Sequence, residues 1–337
     1  MPERLEIQDL DGDGKAEVVV ASQAGIWVTD GQGKVLAQEK AEGHPQVMAM
    51  GDPAGKNRGA FVVGWGSGRR FRDVPVKVIL YRYQRGRLLT ETIHSQQVQR
   101  ATITSLRLGR WKGSRGLLLG YKKDKYNVQL SFAAKQGAAW QVAPIAVVRM
   151  GQAAALGAVR QRGGSDLVIG RLYGDKLGDV GDAFLWAGPD RRIPIPVEGG
   201  VRAVATADLD GNGVDEVLLG DGWRQAYGRD GRARIKLARF VGGKFVSEKI
   251  GELTGQYMVQ KIVVGDLDGD RRPDLLVVGN ATVTVFHNRG KKPWTALDLA
   301  AGQPQDAAMG DLDGDGKPDV LVLDRGGVQL LRNVKLR

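Results

Sequence analysis

The feature that most constrains the fold of this chain is a nine-residue acidic segment that occurs four times. The copies read DLDGDGKAE at 9–17, DLDGNGVDE at 208–216, DLDGDRRPD at 266–274 and DLDGDGKPD at 311–319. Each copy follows a short apolar stretch and precedes a run of β-branched residues or leucines. Because self-similarity along a chain indicates a repeat architecture, each copy predicts one structural unit.

Three further segments share this frame without most of its acidic residues. They begin near residues 52, 110 and 158, and each leads into its own apolar run. The seven frames are 43 to 58 residues apart, which is the length of four short strands with their turns. In the second frame, alternation and turn residues predict strands over 44–50, 60–64, 76–83 and 88–95.

The repeat predicts an all-β fold, a seven-bladed β-propeller of four-stranded blades, since radial closure protects strand edges. The last blade has a third strand predicted at 328–332 and then only 334–337, so its outer strand is missing or very short. The blade is either shortened, or completed by residues upstream of Met1 or by strand addition from a partner. We expect a single domain over 1–337, with blades over approximately 3–43, 44–99, 100–150, 151–199, 200–257, 258–302 and 303–337.

Oxygen-bearing side chains fall at positions 1, 3, 5 and 9 of each acidic segment. Calcium takes six to eight oxygen ligands from a flexible loop, and the glycine at position 4 permits the positive φ of a tight curl. We therefore expect about four structural Ca²⁺ ions, with a main-chain carbonyl contributed at position 7. The predicted ligands are Asp9, Asp11, Asp13, Lys15, Glu17, Asp208, Asp210, Asn212, Val214, Glu216, Asp266, Asp268, Asp270, Arg272, Asp274, Asp311, Asp313, Asp315, Lys317 and Asp319.

An EF-hand is the main alternative, but its loop requires glutamate at position 12 and a helix on each side. Position 12 is here occupied by Val20, Leu219, Val277 or Val322, inside a predicted strand. The acid at position 9 and the following strand resemble the FG-GAP/VCBS repeats of integrin α-subunits and bacterial surface proteins. The resemblance covers essentially the whole chain. It implies structural calcium in loops that join first and second strands, with other ligands bound elsewhere.

The three weak copies lack most of the acidic ligands and should bind no calcium. Our hypothesis is that Lys56, and Arg160 or Arg162, supply the positive charge that calcium supplies elsewhere. In the third acidic segment Arg271 replaces the glycine of position 6, which predicts a slightly distorted site.

Positive charge is concentrated in one part of the chain. The formal charge is +11, and residues 51–125 hold 17 Lys and Arg against 4 Asp and Glu. Such a segment attracts acidic polymers or surfaces, although a merely solvated face is the alternative. Aromatic and cationic side chains also occur in the loops between second and third strands, which lie opposite the calcium loops. There we expect a protein, glycan or acidic-polymer partner to contact Trp65, Arg70, Tyr121, Lys123, Tyr173, Trp223, Arg224 and Tyr227, unless these aromatic rings only pack the loops.

These features predict a non-catalytic binding or adhesion scaffold. Calcium loops of the extracellular type bind at about 10⁻⁴–10⁻³ M, which favours a periplasmic, cell-surface or secreted setting. The chain begins without a leader and contains no apolar run of membrane-spanning length. Nucleic acid is disfavoured because no recognition motif accompanies the charge. A lyase-like polysaccharide-active enzyme, or a lectin, on the same face stays open because propellers also host such activities.

Overall fold

The structure is a computed structural model that describes residues 2–56, 58–68, 74–98, 101–175, 179–222, 232–290, 293–332 and 334. Within these residues the chain is all-β, with twenty-seven strands and no helix. Strands that follow one another in the chain pair antiparallel, and they form seven separate sheets. The fold is thus the seven-bladed β-propeller predicted from the repeat. No helix in the described ranges is long and apolar enough to cross a membrane.

The chain divides into two compact units, and the first contains most of blades 1, 2, 3 and 7. Blades 1 to 3 have four strands each, whereas three strands are described for blade 7. The strands of these blades are β1 Pro2–Gln8, β2 Glu17–Ser22, β3 Gly25–Thr29, β4 Val35–Lys40, β5 His44–Met50, β6 Ala60–Gly66, β7 Val76–Gln84, β8 Arg87–Gln96, β9 Ile103–Trp111, β10 Ser114–Lys122, β11 Asn127–Gln136, β12 Ala139–Arg149, β25 Asp306–Gly310, β26 Asp319–Asp324 and β27 Gly327–Leu331.

The second unit contains blades 4, 5 and 6, each with four strands in sequence order. Its strands are β13 Gly151–Gly157, β14 Asp166–Arg171, β15 Ala183–Gly188, β16 Arg191–Ile195, β17 Ala203–Ala207, β18 Glu216–Asp221, β19 Ala233–Val241, β20 Lys244–Leu253, β21 Val259–Gly265, β22 Asp274–Gly279, β23 Thr282–His287 and β24 Thr295–Ala301.

The second strand of a blade is its most buried element. β6, β14, β18 and β22 are buried at every residue, because other strands flank them and neighbouring blades cover their faces. These strands are therefore the continuous apolar runs that follow each repeat frame. The outer strands β8, β12 and β20 are mostly exposed or half-buried, so their sequences are more polar.

Apolar clusters join successive blades within each unit. In the first unit, β1 packs between β5 and β25, and the Leu5 backbone N–H donates to Asp306 Oδ2 at 3.2 Å. The last blade therefore lies beside the first. Between blades 1 and 2 the rings of Phe61 and Tyr81 are stacked, with centroids 5.2 Å apart. In the second unit, β17 packs between β13 and β21.

The strands predicted for the second blade are confirmed as β5 to β8, with ends that coincide or differ by one or two residues. Blade 7 ends in β27, and no fourth strand of this blade occurs in the described residues up to 332. The edge strand exposes Val328 and Leu330 at 46% and 38%. Strand addition at this edge and the single-domain organisation both stay predictions.

Candidate metal sites in the acidic loops

The four acidic segments form the loops between the first and second strands of blades 1, 5, 6 and 7. They connect β1 to β2, β17 to β18, β21 to β22 and β25 to β26. Position 9 is the first residue of the second strand in each blade, namely Glu17, Glu216, Asp274 and Asp319. The acidic loops therefore lie where the resemblance to FG-GAP repeats places them.

The aspartate at position 1 organises each loop by accepting backbone hydrogen bonds. In blade 1, Asp9 Oδ1 accepts from the N–H of Gly12 at 2.7 Å, and Asp9 Oδ2 accepts from the N–H of Gly14 at 3.1 Å. The same two bonds occur at Asp208, Asp266 and Asp311. Local bonds of this kind are the reason that aspartate favours tight turns. They curl each loop so that its side chains face a common centre.

This curl requires positive φ at positions 4 and 6. Glycine occupies both positions in blades 1, 5 and 7, with φ between 77° and 90°. In blade 6, position 6 is Arg271, which has φ of 68° and still donates its N–H to Asp266 Oδ2 at 2.8 Å. The loop keeps its hydrogen bonds, so the predicted distortion is confined to an unfavourable backbone conformation at this residue.

The acid at position 9 is buried at the base of the loop. Glu17 Oε2 accepts the Leu10 N–H at 2.7 Å, and Glu216 and Asp274 accept the equivalent leucine N–H. Burial, together with repulsion from the other loop carboxylates, raises the pKa of Glu17 to about 7 despite that bond. Burial likewise raises the pKa of Glu216 and of Asp274. A bound divalent cation would favour the charged forms of these acids, since an opposite charge at close range lowers a carboxyl pKa.

Carboxylate oxygens from three residues converge within 4.8 Å of one another in every acidic loop. Two oxygens bound to the same calcium ion at about 2.3–2.6 Å can be no more than about 5 Å apart, so this spacing fits calcium. The residues that would hold the ion supply only oxygen, which is the donor that calcium prefers. The other predicted ligands stay predictions, namely Glu17, Asn212, Asp270, Asp319 and the position-7 carbonyls. The converging groups are Asp9, Asp11 and Asp13; Asp208, Asp210 and Glu216; Asp266, Asp268 and Asp274; and Asp311, Asp313 and Asp315.

In blade 4, an arginine stands beside the one acid that the loop retains. Arg160 donates from Nε to Asp166 Oδ1 at 2.7 Å and from its backbone N–H to Asp166 Oδ2 at 2.8 Å. Arg162 instead donates to the main-chain oxygen of Asn212, in the blade 5 loop. Of the two arginines in our hypothesis, Arg160 is thus the one that supplies positive charge to the acid of its own loop.

The other weak loops differ from this arrangement. In blade 2 the buried Asp52 has Arg82 Nε 3.9 Å from its Oδ2, while Lys56 is exposed. The cation nearest to this acid in the described residues thus comes from the third strand rather than from the loop, contrary to the hypothesis for Lys56. In blade 3 the loop is reduced to the turn Lys112–Gly113, which joins β9 to β10 directly.

A third-strand residue, opposite position 9 in the strand register, faces three of the acidic loops. In blade 5 this residue is Arg239, whose Nε lies 3.2 Å from Glu216 Oε1. In blade 7 it is Arg332, with Nη1 3.4 Å from Asp313 Oδ2. In blade 6 it is His287, with Nε2 2.8 Å from Asp268 Oδ2. These residues were not predicted from the sequence, because only the pairing register of the strands shows that they lie close to the acidic loops. The one signal in the sequence is that each of them follows the apolar run of a third strand.

The predicted ligand face needs correction at two residues. Trp65 belongs to the second strand, is fully buried and donates from Nε1 to Tyr81 Oη at 3.1 Å. Tyr121 is also buried, and its hydroxyl donates to Gln96 Oε1 at 2.6 Å. Ligand contact by these two rings was therefore a wrong prediction, because both rings fill the core between blades. Lys123 is exposed and Tyr173 half-buried, and their role stays a prediction. The remaining candidates lie outside the described residues, namely Arg70, Trp223, Arg224 and Tyr227.

Known proteins support the fold and the repeat. The sequence pattern of the FG-GAP-like repeat matches residues 266–322, which include the third and fourth acidic segments. No curated protein matches the chain in sequence. A chain in the crystal structure of BBS1N in complex with ARL6DN, soaked with mercury, has 12% identity and a TM-score of 0.58 over 98% of this chain and 90% of that chain. In the lead-soaked crystal the identity is 13% and the TM-score 0.62, over 99% of this chain and 94% of that one.

The fold and the acidic loops define a class, the repeat β-propeller with one curled acidic loop in several of its blades. Within this class, residues 266–322 match the FG-GAP-like repeat that the sequence resembles.

Proposed function

We propose that this chain is a non-catalytic, calcium-stabilised propeller that serves outside the cytoplasm as a binding scaffold for a protein partner. The observation that carries the proposal is the convergence of three carboxylates in each of four loops of the same design. The loop side chains have formal charges of −4, −3, −4 and −4 at positions 1, 3, 5 and 9. Such concentrated charge destabilises the folded loops unless a cation is bound.

Calcium is the cation that best suits these loops. All four loops offer carboxylates, three of them alone and one with an amide at Asn212, and calcium takes oxygen ligands of this kind. Sites of the extracellular type have dissociation constants of about 10⁻⁴–10⁻³ M. Ions bound this weakly are retained only where calcium is abundant, which supports the periplasm, the cell surface or the medium as the setting.

A protein partner is supported by the fold and by the charge. The structures of similar fold contain BBS1N in complex with ARL6DN, so a propeller of this shape is compatible with a protein complex. The basic segment 51–125 supports a partner with an acidic surface. The exposed edge of β27 supports strand addition as one mode of contact. Binding of an acidic polysaccharide to the basic segment, instead of a protein, would replace the protein partner in this proposal.

Thermal unfolding with calcium or with excess chelator tests the calcium part of this proposal. An ion at about 100 times its Kd contributes about 2.7 kcal/mol per site, so calcium should raise Tm by several degrees. The double variant Asp9→Asn, Asp11→Asn removes one site and should show a smaller rise. As a matched control, Asp190→Asn changes an exposed acid in the turn between β15 and β16 and should respond like the wild type. Equal melting temperatures with calcium and with chelator would reject calcium stabilisation.

The partner is tested by capture of proteins and acidic polysaccharides on the immobilised, calcium-loaded chain, followed by a direct affinity measurement. Reversal of charge at two basic side chains of the segment 51–125, Lys122→Glu and Lys123→Glu, should weaken a genuine complex and increase its dissociation rate. Binding of a glycan with turnover into an unsaturated product would identify an enzyme and contradict the scaffold.

A further inference from the structure

The acidic loop of blade 6 differs from the other three in having a buried histidine against its carboxylates. His287 is the last residue of β23 and is 8% exposed. A ring nitrogen of His287 and oxygens of Asp268 and Asp270 lie within 4.8 Å of one another. The loop therefore presents a mixed set of nitrogen and oxygen donors that converge on a single point.

The imidazole of His287 has no hydrogen-bond partner at either nitrogen within the described part of the chain. Its Nε2 lies 2.8 Å from Asp268 Oδ2, but the two atoms do not have the geometry of a hydrogen bond. Buried polar atoms without a partner are rare, because each costs free energy. Two ligands bound tetrahedrally to one ion, at about 2.0–2.1 Å each, are roughly 3.3 Å apart. The His287 and Asp268 donors are 2.8 Å apart, so they need to separate by only about 0.5 Å to share one metal.

The neighbouring residue fixes the histidine in this place. The Asn288 N–H donates to Asp274 Oδ1 at 2.8 Å, and Asn288 Nδ2 donates to the main-chain oxygens of Leu209 and Pro273, each at 3.2 Å. These bonds tie the end of β23 to position 9 of the blade 6 loop and to the loop of blade 5. The imidazole is therefore held at the loop rather than free to leave it.

The equivalent third-strand residues of blades 5 and 7 cannot act in this way. Arg239 and Arg332 present guanidinium groups to their loops, and a guanidinium donates hydrogen bonds but does not ligate metals. Histidine is the exception among these residues because neutral imidazole is a metal ligand. Calcium takes oxygen ligands, whereas imidazole suits zinc and related first-row ions.

From this geometry we infer that the blade 6 loop holds a divalent transition-metal ion of the zinc type, with His287, Asp268 and Asp270 as protein ligands. This inference goes beyond the proposed function. It rests on that function in one respect, the expectation that the loop folds around a divalent ion. Arg272 Nη1 lies 3.2 Å from Asp270 Oδ2, but its side chain is 52% exposed and can turn away when an ion binds. Blades 1, 5 and 7 keep calcium as their ion.

The test is a titration of the full chain with Zn²⁺ in a buffer that contains saturating calcium. The wild type should bind one Zn²⁺ by calorimetry, and Co²⁺ as a spectroscopic substitute should give the absorption of a nitrogen-ligated ion. His287→Asn should weaken zinc binding at least roughly tenfold, since even loss of a second-shell partner costs about 10–100-fold in metal affinity. His44→Asn, at a histidine of β5 outside the acidic loops, is the control and should bind as the wild type does.

A gain of binding provides an independent arm. The double variant Arg239→His, Asn212→Asp recreates the imidazole and both carboxylates in blade 5, and should add a second Zn²⁺ per chain. This arm keeps the inference falsifiable if His287→Asn fails to fold. Unchanged zinc affinity in folded His287→Asn, or no second ion in the folded double variant, would overturn the inference and leave His287 as an ion-pair partner of Asp268.

Failure of this inference is distinguishable from failure of the proposed function. Calcium binding is measured separately, in the absence of zinc, for the wild type and His287→Asn. One zinc ion without any calcium binding would reject the calcium scaffold and support the blade 6 site. Calcium binding without zinc binding would support the calcium scaffold and reject the zinc site of blade 6.

Discussion

At the scale of single residues, the residue at position 6 of each acidic loop decides how much free energy the curled backbone costs. Positions 4 and 6 have positive φ in all four loops, and glycine adopts this conformation without penalty. Arg271 is the exception, and a side chain in the left-handed region costs about 1–2 kcal/mol. Because the loop keeps its hydrogen bonds, this cost is a strain that a substitution can remove.

Arg271→Gly should therefore stabilise the protein. Relief of the strain is offset by the greater backbone entropy of glycine, about 0.5–1 kcal/mol, which leaves a net gain of about 0.5–1 kcal/mol in the free energy of unfolding. Denaturant unfolding in excess chelator measures the difference without a contribution from bound metal. Arg271→Ala is the matched control, because it removes the same charge and keeps the strain. An equal gain in both variants would show that charge, not φ, is responsible.

At the scale of the element, the loop of blade 4 pairs its one acid with an arginine. Asp166 occupies position 9, as Glu17 does in blade 1, and it is buried. Its charge is balanced by the Arg160 guanidinium at 2.7 Å instead of a cation from solvent. Position 9 of this loop thus has an arginine as its positive charge, where we propose a metal ion for the acidic loops.

Arg160→Ala should destabilise the protein by roughly 1–2 kcal/mol, the loss of a charge-assisted hydrogen bond to a buried acid. We expect less than the cost of breaking a fully buried pair, since the Arg160 side chain is 43% exposed and water can replace it. The loss of stability in Arg160→Ala should be equal with calcium and with chelator, because this ion pair involves no metal ion. Lys56→Ala, at the exposed lysine of blade 2, should change the free energy of unfolding by less than about 0.5 kcal/mol. If Arg160→Ala leaves stability unchanged, the ion pair does not replace a metal.

The strands and loops could be predicted from sequence because each blade contains its own signal. The acidic frame, the apolar run of the second strand and the alternation of β7 all lie within one repeat. The residues that complete the sites could not be predicted in this way. His287 and Arg239 are distant in sequence from the acids at positions 1 to 5, and only the strand register brings them together. Trp65 was misplaced because the second strand is two residues longer than predicted, so the ring lies in the core.

At the scale of the whole molecule, the proposed metal ions and the net charge would act together. The chain has a formal charge of +11, and four divalent ions would add eight positive charges while they offset about half of the negative charge of the loops. The loaded protein would then be strongly basic, which favours rapid association with an acidic partner. Within the first unit, Leu5 and Asp306 join the first and last blades, so stabilised loops in blades 1 and 7 support neighbouring parts of the same structure.

The most direct test of the central claim, that curled acidic loops fold around metal ions, is the number of calcium ions bound per chain. Equilibrium dialysis in a buffer free of transition metals should give four ions for the wild type, one for each acidic loop. The double variant Asp208→Asn, Asp210→Asn should bind three and keep its fold. Fewer than two ions in the wild type, or the same number in both proteins, would contradict the account.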